Sequence, residues 1–115
     1  MARIDAFLKL GLAQGCSDIH LAVGVPPMLR MHGDLMPIEF RDLGDTELEG
    51  YISEILTANQ RKRFDEGHDL DFSYVSEDKG RFRVNVFRKE TGVGATFRYI
   101  PGSVPTLESL DLPAE

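Results

Sequence analysis

From Arg81 to Arg88 and again from Val93 to Ile100, apolar and polar residues alternate with period two, and only Lys89-Glu90-Thr91-Gly92 separates the two runs. A β-strand sends successive side chains to opposite faces, so the pattern predicts an antiparallel hairpin with one apolar face. Phe82, Val84 and Val86 supply that face together with Ala95, Phe97 and Tyr99. Facing residues of an antiparallel pair have a constant index sum, and any even-numbered loop makes that sum odd. Arg83 and Arg98 then share the other face. A four-residue loop, Lys89 to Gly92, makes them direct neighbours, and a two-residue loop, Thr91-Gly92, makes them diagonal ones. Burial of the apolar face fixes the register, because a slip of one residue would bury the arginines.

The hairpin also segregates charge. Lys79, Arg81, Arg83, Arg88, Lys89 and Arg98 fall in a window whose one acid is Glu90, while the whole chain carries −6. The window is therefore at about +5 and the remainder at about −11 by formal count. Like charges placed opposite each other destabilise a hairpin. Two arrangements relieve the repulsion. The arginines pair with local acids on the solvent side of the sheet, which is the commoner case, or they hold an anion between them. Guanidinium forks match phosphate oxygens in geometry as well as in charge. A nucleic-acid surface is disfavoured, because the aromatic residues other than Phe87 alternate toward the core and leave no stacking platform. The net charge argues the same way, and against an acidic membrane as partner.

The rest of the chain supplies layers for this hairpin to join. Ile4, Phe7, Leu8 and Leu12 recur at helical spacing, with Gly15 as a stop. Residues 17–23, 28–31 and 35–40 read as three short strands, broken by Pro26-Pro27 and by the turn His32-Gly33-Asp34. Thr46 and Glu49 have the spacing of a capping box ahead of the stripe Leu48, Tyr51, Ile52, Ile55 and Leu56. Thr57 and Gln60 repeat the box for a second helix through Phe64, ending near Gly67, with Arg61-Lys62-Arg63 on its solvated face. Leu70, Phe72 and Tyr74 alternate with Asp69, Asp71 and Ser73 in a further strand. The order implies an α+β domain, with a mainly antiparallel sheet of about six strands, an N-terminal helix and a central helical segment. It occupies residues 1–102, and residues 103–115, with Pro105 and Pro113, have the texture of a linker.

Other chemistry is weakly supported. His20, His32 and His68 lack the spacing of a metal site, and the single cysteine, Cys16, excludes an internal disulfide and any multi-cysteine zinc centre, so no metal is expected. Asp18 and His20 share one strand face while Ser17 falls on the other, which argues against a hydrolytic triad. Ser17 and Asp18 read as polar residues that start a strand. No stretch approaches the ~20 apolar residues needed to span a bilayer.

Seven segments in order carry a resemblance that covers essentially the whole chain. They are residues 17–21 (SDIHL), 26–30 (PPMLR), 33–34 (GD), 69–74 (DLDFSY), 80–87 (GRFRVNVF), 92–98 (GVGATFR) and 105–110 (PTLESL). In this ordered set the chain resembles the N-terminal domain of the pilus retraction ATPases, within the type II/IV secretion ATPase family. The resemblance implies a PAS-like domain followed by a RecA-like ATPase domain that here would lie beyond the linker. It implies a hexameric ring at the cytoplasmic side of the inner membrane, working against a pilus or secretion platform protein. It also implies that Arg83 and Arg98 reach the phosphates of ATP held with Mg by the ATPase domain, with Arg81 and Arg88 as possible supporting basic residues. The chain departs from a whole family member in having no G-x-x-x-x-G-K-[ST] loop. Without that cradle of backbone amides and lysine it is expected to catalyse nothing alone and to bind no cofactor tightly.

Overall fold

The computed structural model describes residues 3–38, 40–76, 80–90 and 92–100. The expected linker at 103–115, Lys79 and Thr91 lie outside these residues. The elements run α1 (Asp5–Gln14), β1 (Asp18–Ala22), β2 (Met28–Met31), β3 (Asp34–Pro37), α2 (Asp45–Ser53), α3 (Ala58–Asp65), β4 (Leu70–Val75), β5 (Arg81–Lys89) and β6 (Gly92–Tyr99). The six strands form one antiparallel sheet in the order β3-β2-β1-β6-β5-β4. This is the α+β architecture expected from the order of elements, with helices gathered on one face of an antiparallel sheet.

Alternation decides which face is covered. Ile19 and Leu21 of β1, Phe82, Val84 and Val86 of β5, and Ala95 and Phe97 of β6 are all buried. They meet Phe7 and Leu8 of α1, Leu48, Tyr51 and Ile52 of α2, and Phe64 of α3 in one cluster. Each valine, leucine, isoleucine or phenylalanine among them contributes roughly 1.5–3 kcal/mol by leaving water. The intervening residues of β5, Arg81, Arg83 and Asn85, remain exposed on the opposite face. Gly15 ends α1 in the left-handed region at φ 81°, and its amide donates to the carbonyls of Gly11 and Leu12. Glycine adopts that conformation at no steric cost.

Several boundaries differ from the sequence pattern, among them the hairpin, whose ladder takes in Lys89 and Gly92 so that β5 ends at Lys89 and β6 spans Gly92–Tyr99. Helix α2 starts at Asp45 with Gly44 as its cap, and Glu47, not Glu49, reaches back to the Gly44 amide at 3.4 Å. Glycine is an accepted N-cap, and starting earlier leaves Glu49 free to bind across the domain. Strand β3 stops at Pro37 rather than Phe40, because proline brings no amide to a ladder. Strand β1 ends at Ala22, and Val23 forms an isolated parallel bridge to Leu43 instead. The second capping box is as expected: Thr57 accepts from the Gln60 amide at 3.2 Å, and Gln60 accepts from the Thr57 amide at 2.9 Å.

Candidate anion-binding site on the open face of the sheet

The β5–β6 ladder pairs Phe82 with Tyr99, Arg83 with Arg98, and Val84 with Phe97, and it runs on to Lys89 with Gly92. Arg83 and Arg98 are therefore direct cross-strand neighbours, the closer of the two arrangements that the alternation allows. Each is flanked in sequence by a phenylalanine with no exposed surface, Phe82 and Phe97. Those two rings lock the register, since a slip would exchange each phenylalanine for an arginine.

The neighbouring strands extend the row. Arg98 faces Asp18 of β1, Asp18 faces Arg30 of β2, and Arg83 faces Ser73 of β4. Arg30, Asp18, Arg98, Arg83 and Ser73 thus lie in one line across five adjacent strands, on one side of the sheet. The next line holds Met28, His20, Thr96, Asn85 and Asp71. Asp71, Arg83, Asn85, Thr96 and Arg98 border a shallow depression of about 180 Å³.

Two carboxylates balance the arginines. Asp71 takes Nε and Nη2 of Arg83, each at 3.1 Å, in a fork-to-fork pair. That hydrogen bond, and then the charge of Asp71, holds the Arg83 guanidinium above its ordinary pKa. Asp18 accepts from Nε and Nη2 of Arg98 at 3.4 Å, both on Oδ2. The Asp18 side chain is 6% exposed and that of Asp71 is 50% exposed. Asp18 is thus a desolvated charge that depends on its partner, whereas an exposed pair such as Asp71–Arg83 contributes little to stability. The sequence pattern makes Asp18 a polar strand-start residue, and the structure adds its pairing with Arg98. Arg30 joins the row through its place opposite Asp18. Its signal is strand parity with Asp18 and His20 once β1 and β2 are paired. Its Nη1 donates to the Gly33 carbonyl at 3.0 Å.

The two residues named as supporting separate. Arg81 lies on the open face two positions from Arg83, opposite Val75. Arg88 lies on the other face and is removed from this site. It donates to Oε2 of Glu49 at 3.0 Å, lies 3.6 Å from Oδ1 of Asp65, and sits 4.2 Å over the Phe64 ring. It ties β5 to α2 and α3. The sequence carried this signal, because Arg88 has the parity of Phe82, Val84 and Val86.

His20 lies on the rung beside the charged row, with its Nε2 buried and without a partner among the described residues. Burial lowers its pKa, Asp18 opposes this, and Arg30 and Arg98 lower it further. A histidine depressed in the folded state gives stability that is present above its ordinary value and lost as pH falls through the folded value. Urea midpoints should therefore drop on acidification from pH 7 toward 5, and His20→Gln should flatten that part of the slope. Equal slopes in the two proteins would contradict the assignment. Among the described residues no three His, Cys, Asp or Glu side chains gather as metal ligands, and no helix is long and apolar enough to cross a membrane.

Comparison with known proteins gives a consistent picture. No family model matches the chain. The type IV pilus retraction ATPase PilT of Pseudomonas aeruginosa is 40% identical over 109 residues, covering 95% of this chain and 32% of the relative. The type IV pilus ATPase PilU of the same organism is 33% identical, covering 95% of this chain and 28% of the relative. Among solved structures, the pilus retraction motor PilT with bound ADP superposes with a TM-score of 0.80 at 31% identity, covering 98% of this chain and 33% of that one. The Legionella pneumophila ATPase DotB superposes with a TM-score of 0.75 at 29% identity, covering 85% and 29%. The chain spans about a third of the length of the proteins it matches.

The fold and the sequence relationships together define the N-terminal domain of a PilT-, PilU- and DotB-like secretion ATPase. Within that class the chain is homologous to the N-terminal region of the pilus retraction ATPase PilT.

Proposed function

We propose that this chain is the nucleotide-contacting, regulatory N-terminal domain of a hexameric type IV pilus retraction motor. Arg83 and Arg98 are supplied to the phosphates of ATP bound, with Mg²⁺, by a RecA-like ATPase domain that follows residues 103–115. In this reading the domain relays motion around the ring, and the ring works at the cytoplasmic side of the inner membrane against the platform protein of the pilus machinery. The observation that carries the reading is the direct cross-strand placement of Arg83 and Arg98 beside a shallow depression on the open face. Two guanidinium groups fixed side by side present donors and positive charge to the same point, which suits a polyphosphate better than a single carboxylate. The donor set present therefore fits a phosphoryl group. Chemistry on ATP belongs to the other domain, and the residues here bind charge and orient it.

The test uses the full-length protein. Arg83→Ala and Arg98→Ala should each lower ATP turnover by about a hundredfold to a thousandfold, the range seen when one charge-stabilising donor is removed. Circular dichroism should stay unchanged in Arg83→Ala, whose partner Asp71 is half exposed, whereas Arg98→Ala leaves the buried Asp18 without its partner and its turnover is to be read below its own, lowered melting midpoint. Wild-type turnover in both variants would overturn the reading.

A further inference from the structure

We infer that Asp71 and Asp18 are positioning residues, each gripping one edge of an arginine and leaving the other edge open for a phosphoryl group. The inference rests on the reading above, that Arg83 and Arg98 meet nucleotide phosphate.

A guanidinium has five N–H donors in a rigid plane. Two of them, on Nε and Nη2, form one edge, and Nη1 with the second Nη2 hydrogen forms another. Both carboxylates choose the first edge. Asp71 engages Nε and Nη2 of Arg83, and Asp18 engages Nε and Nη2 of Arg98. Among the described residues nothing bonds to Nη1 of either arginine. A carboxylate gripping the Nη1–Nη2 edge would compete with phosphate for the same donors. One on the Nε side leaves three donors of each guanidinium available and keeps the plane of the group fixed.

The arrangement addresses two costs. Ordering a long arginine side chain at the moment of binding loses rotamer entropy, and a partner already in place removes that loss beforehand. Two directly opposed guanidinium groups repel each other, and one carboxylate on each outer flank reduces the repulsion without standing between them. Asn85 and Thr96, which face each other on the adjacent rung, are neutral. The space between the arginines is thus bordered by acids only at its far edges.

Asp71 is the residue to test, because its side chain is half exposed and that of Asp18 is almost fully buried. In the full-length protein, Asp71→Asn should reduce ATP turnover about fivefold and weaken the affinity for a fluorescent ADP by a similar factor. Asp71→Glu should recover part of both. The Asp71→Asn change should add nothing in an Arg83→Ala background, since it acts through that arginine. In the 115-residue chain, the NMR signal of the Arg83 Nε–H should be sharp and should shift on titration with pyrophosphate, and Asp71→Asn should broaden it. Normal turnover and ADP affinity in Asp71→Asn, alongside a defective Arg83→Ala, would overturn the positioning role and leave the arginine's role standing. Tighter ADP binding in Asp71→Asn would overturn it too, by showing that the carboxylate competes with the ligand. A fully active Arg83→Ala would remove the foundation of both readings.

Discussion

Phe97→Ala is expected to destabilise the domain by about 3–5 kcal/mol, the usual cost of deleting a fully buried phenylalanine. Phe97 has no exposed surface and sits on β6, which pairs with β1 on one side and β5 on the other. It faces Ile19 and Val84 across those ladders, and its ring meets Phe82 edge-on at 6.4 Å. The cavity would open at the centre of the sheet, where strands held by their own ladders have little freedom to collapse into it. A stability of 5–15 kcal/mol is typical of a small domain, so this one change removes a large share of it. Urea denaturation of the two proteins measures the difference, and a loss below about 1 kcal/mol would show that Phe97 is not a centre of the core.

Gly92→Ala should cost about 2–5 kcal/mol, for two separate reasons. Gly92 has φ 130°, a conformation open to glycine and strained for any residue with a Cβ. A methyl group there would also lie 2.7 Å from Cγ2 of Val23 and 3.2 Å from Oδ1 of Asp45. Val23 is the residue that bridges to Leu43, so relief by moving it disturbs the path into α2. Gly15→Ala makes a useful control. Gly15 also has a positive φ, 81°, but a Cβ there meets nothing within 4 Å. Its loss should reflect backbone strain only, and the excess at Gly92, read from thermal or urea midpoints, reports the steric contact. Equal losses at the two positions would mean that Val23 yields freely.

Much of this molecule could be read from local pattern. Period-two alternation placed Phe82, Val84, Val86, Ala95 and Phe97 inside and Arg83 and Arg98 outside, because only one register buries a continuous apolar face. The Thr57–Gln60 box placed the start of α3, since both partners lie within one turn. What local pattern missed has physical causes. The T-x-x-E spacing at Thr46 and Glu49 resembled a cap, yet Glu49 is drawn to Arg88 and Arg61 across the domain, and Glu47 serves the helix start while also accepting from the Tyr51 hydroxyl. The pairing of β1 with β6 joins distant segments that no periodicity connects. Arg30 and Asp18 enter the site only through that pairing, so their part could not be seen in the sequence. The roles proposed for Arg83 and Arg98 toward nucleotide rest on resemblance, since alternation suggests only an anion or a pair of acids.

The central β1–β6 ladder also bears on the order in which the site is completed. The β5–β6 ladder closes over the two intervening residues, 90 and 91, whereas Asp18 reaches Arg98 across 80 positions of chain. Closing a short loop costs far less entropy than closing a long one, and folding slows as such long-range pairings dominate. Arg83 and Arg98 can therefore be brought together by a short stretch of polypeptide, with Asp71 only 12 positions away. Asp18 arrives only when the two ends of the domain meet. Hydrogen exchange would read this directly: an opening confined to the β1–β6 seam would unprotect the amides of that ladder and release Arg98 from Asp18, while the Arg83–Asp71 pair stayed closed.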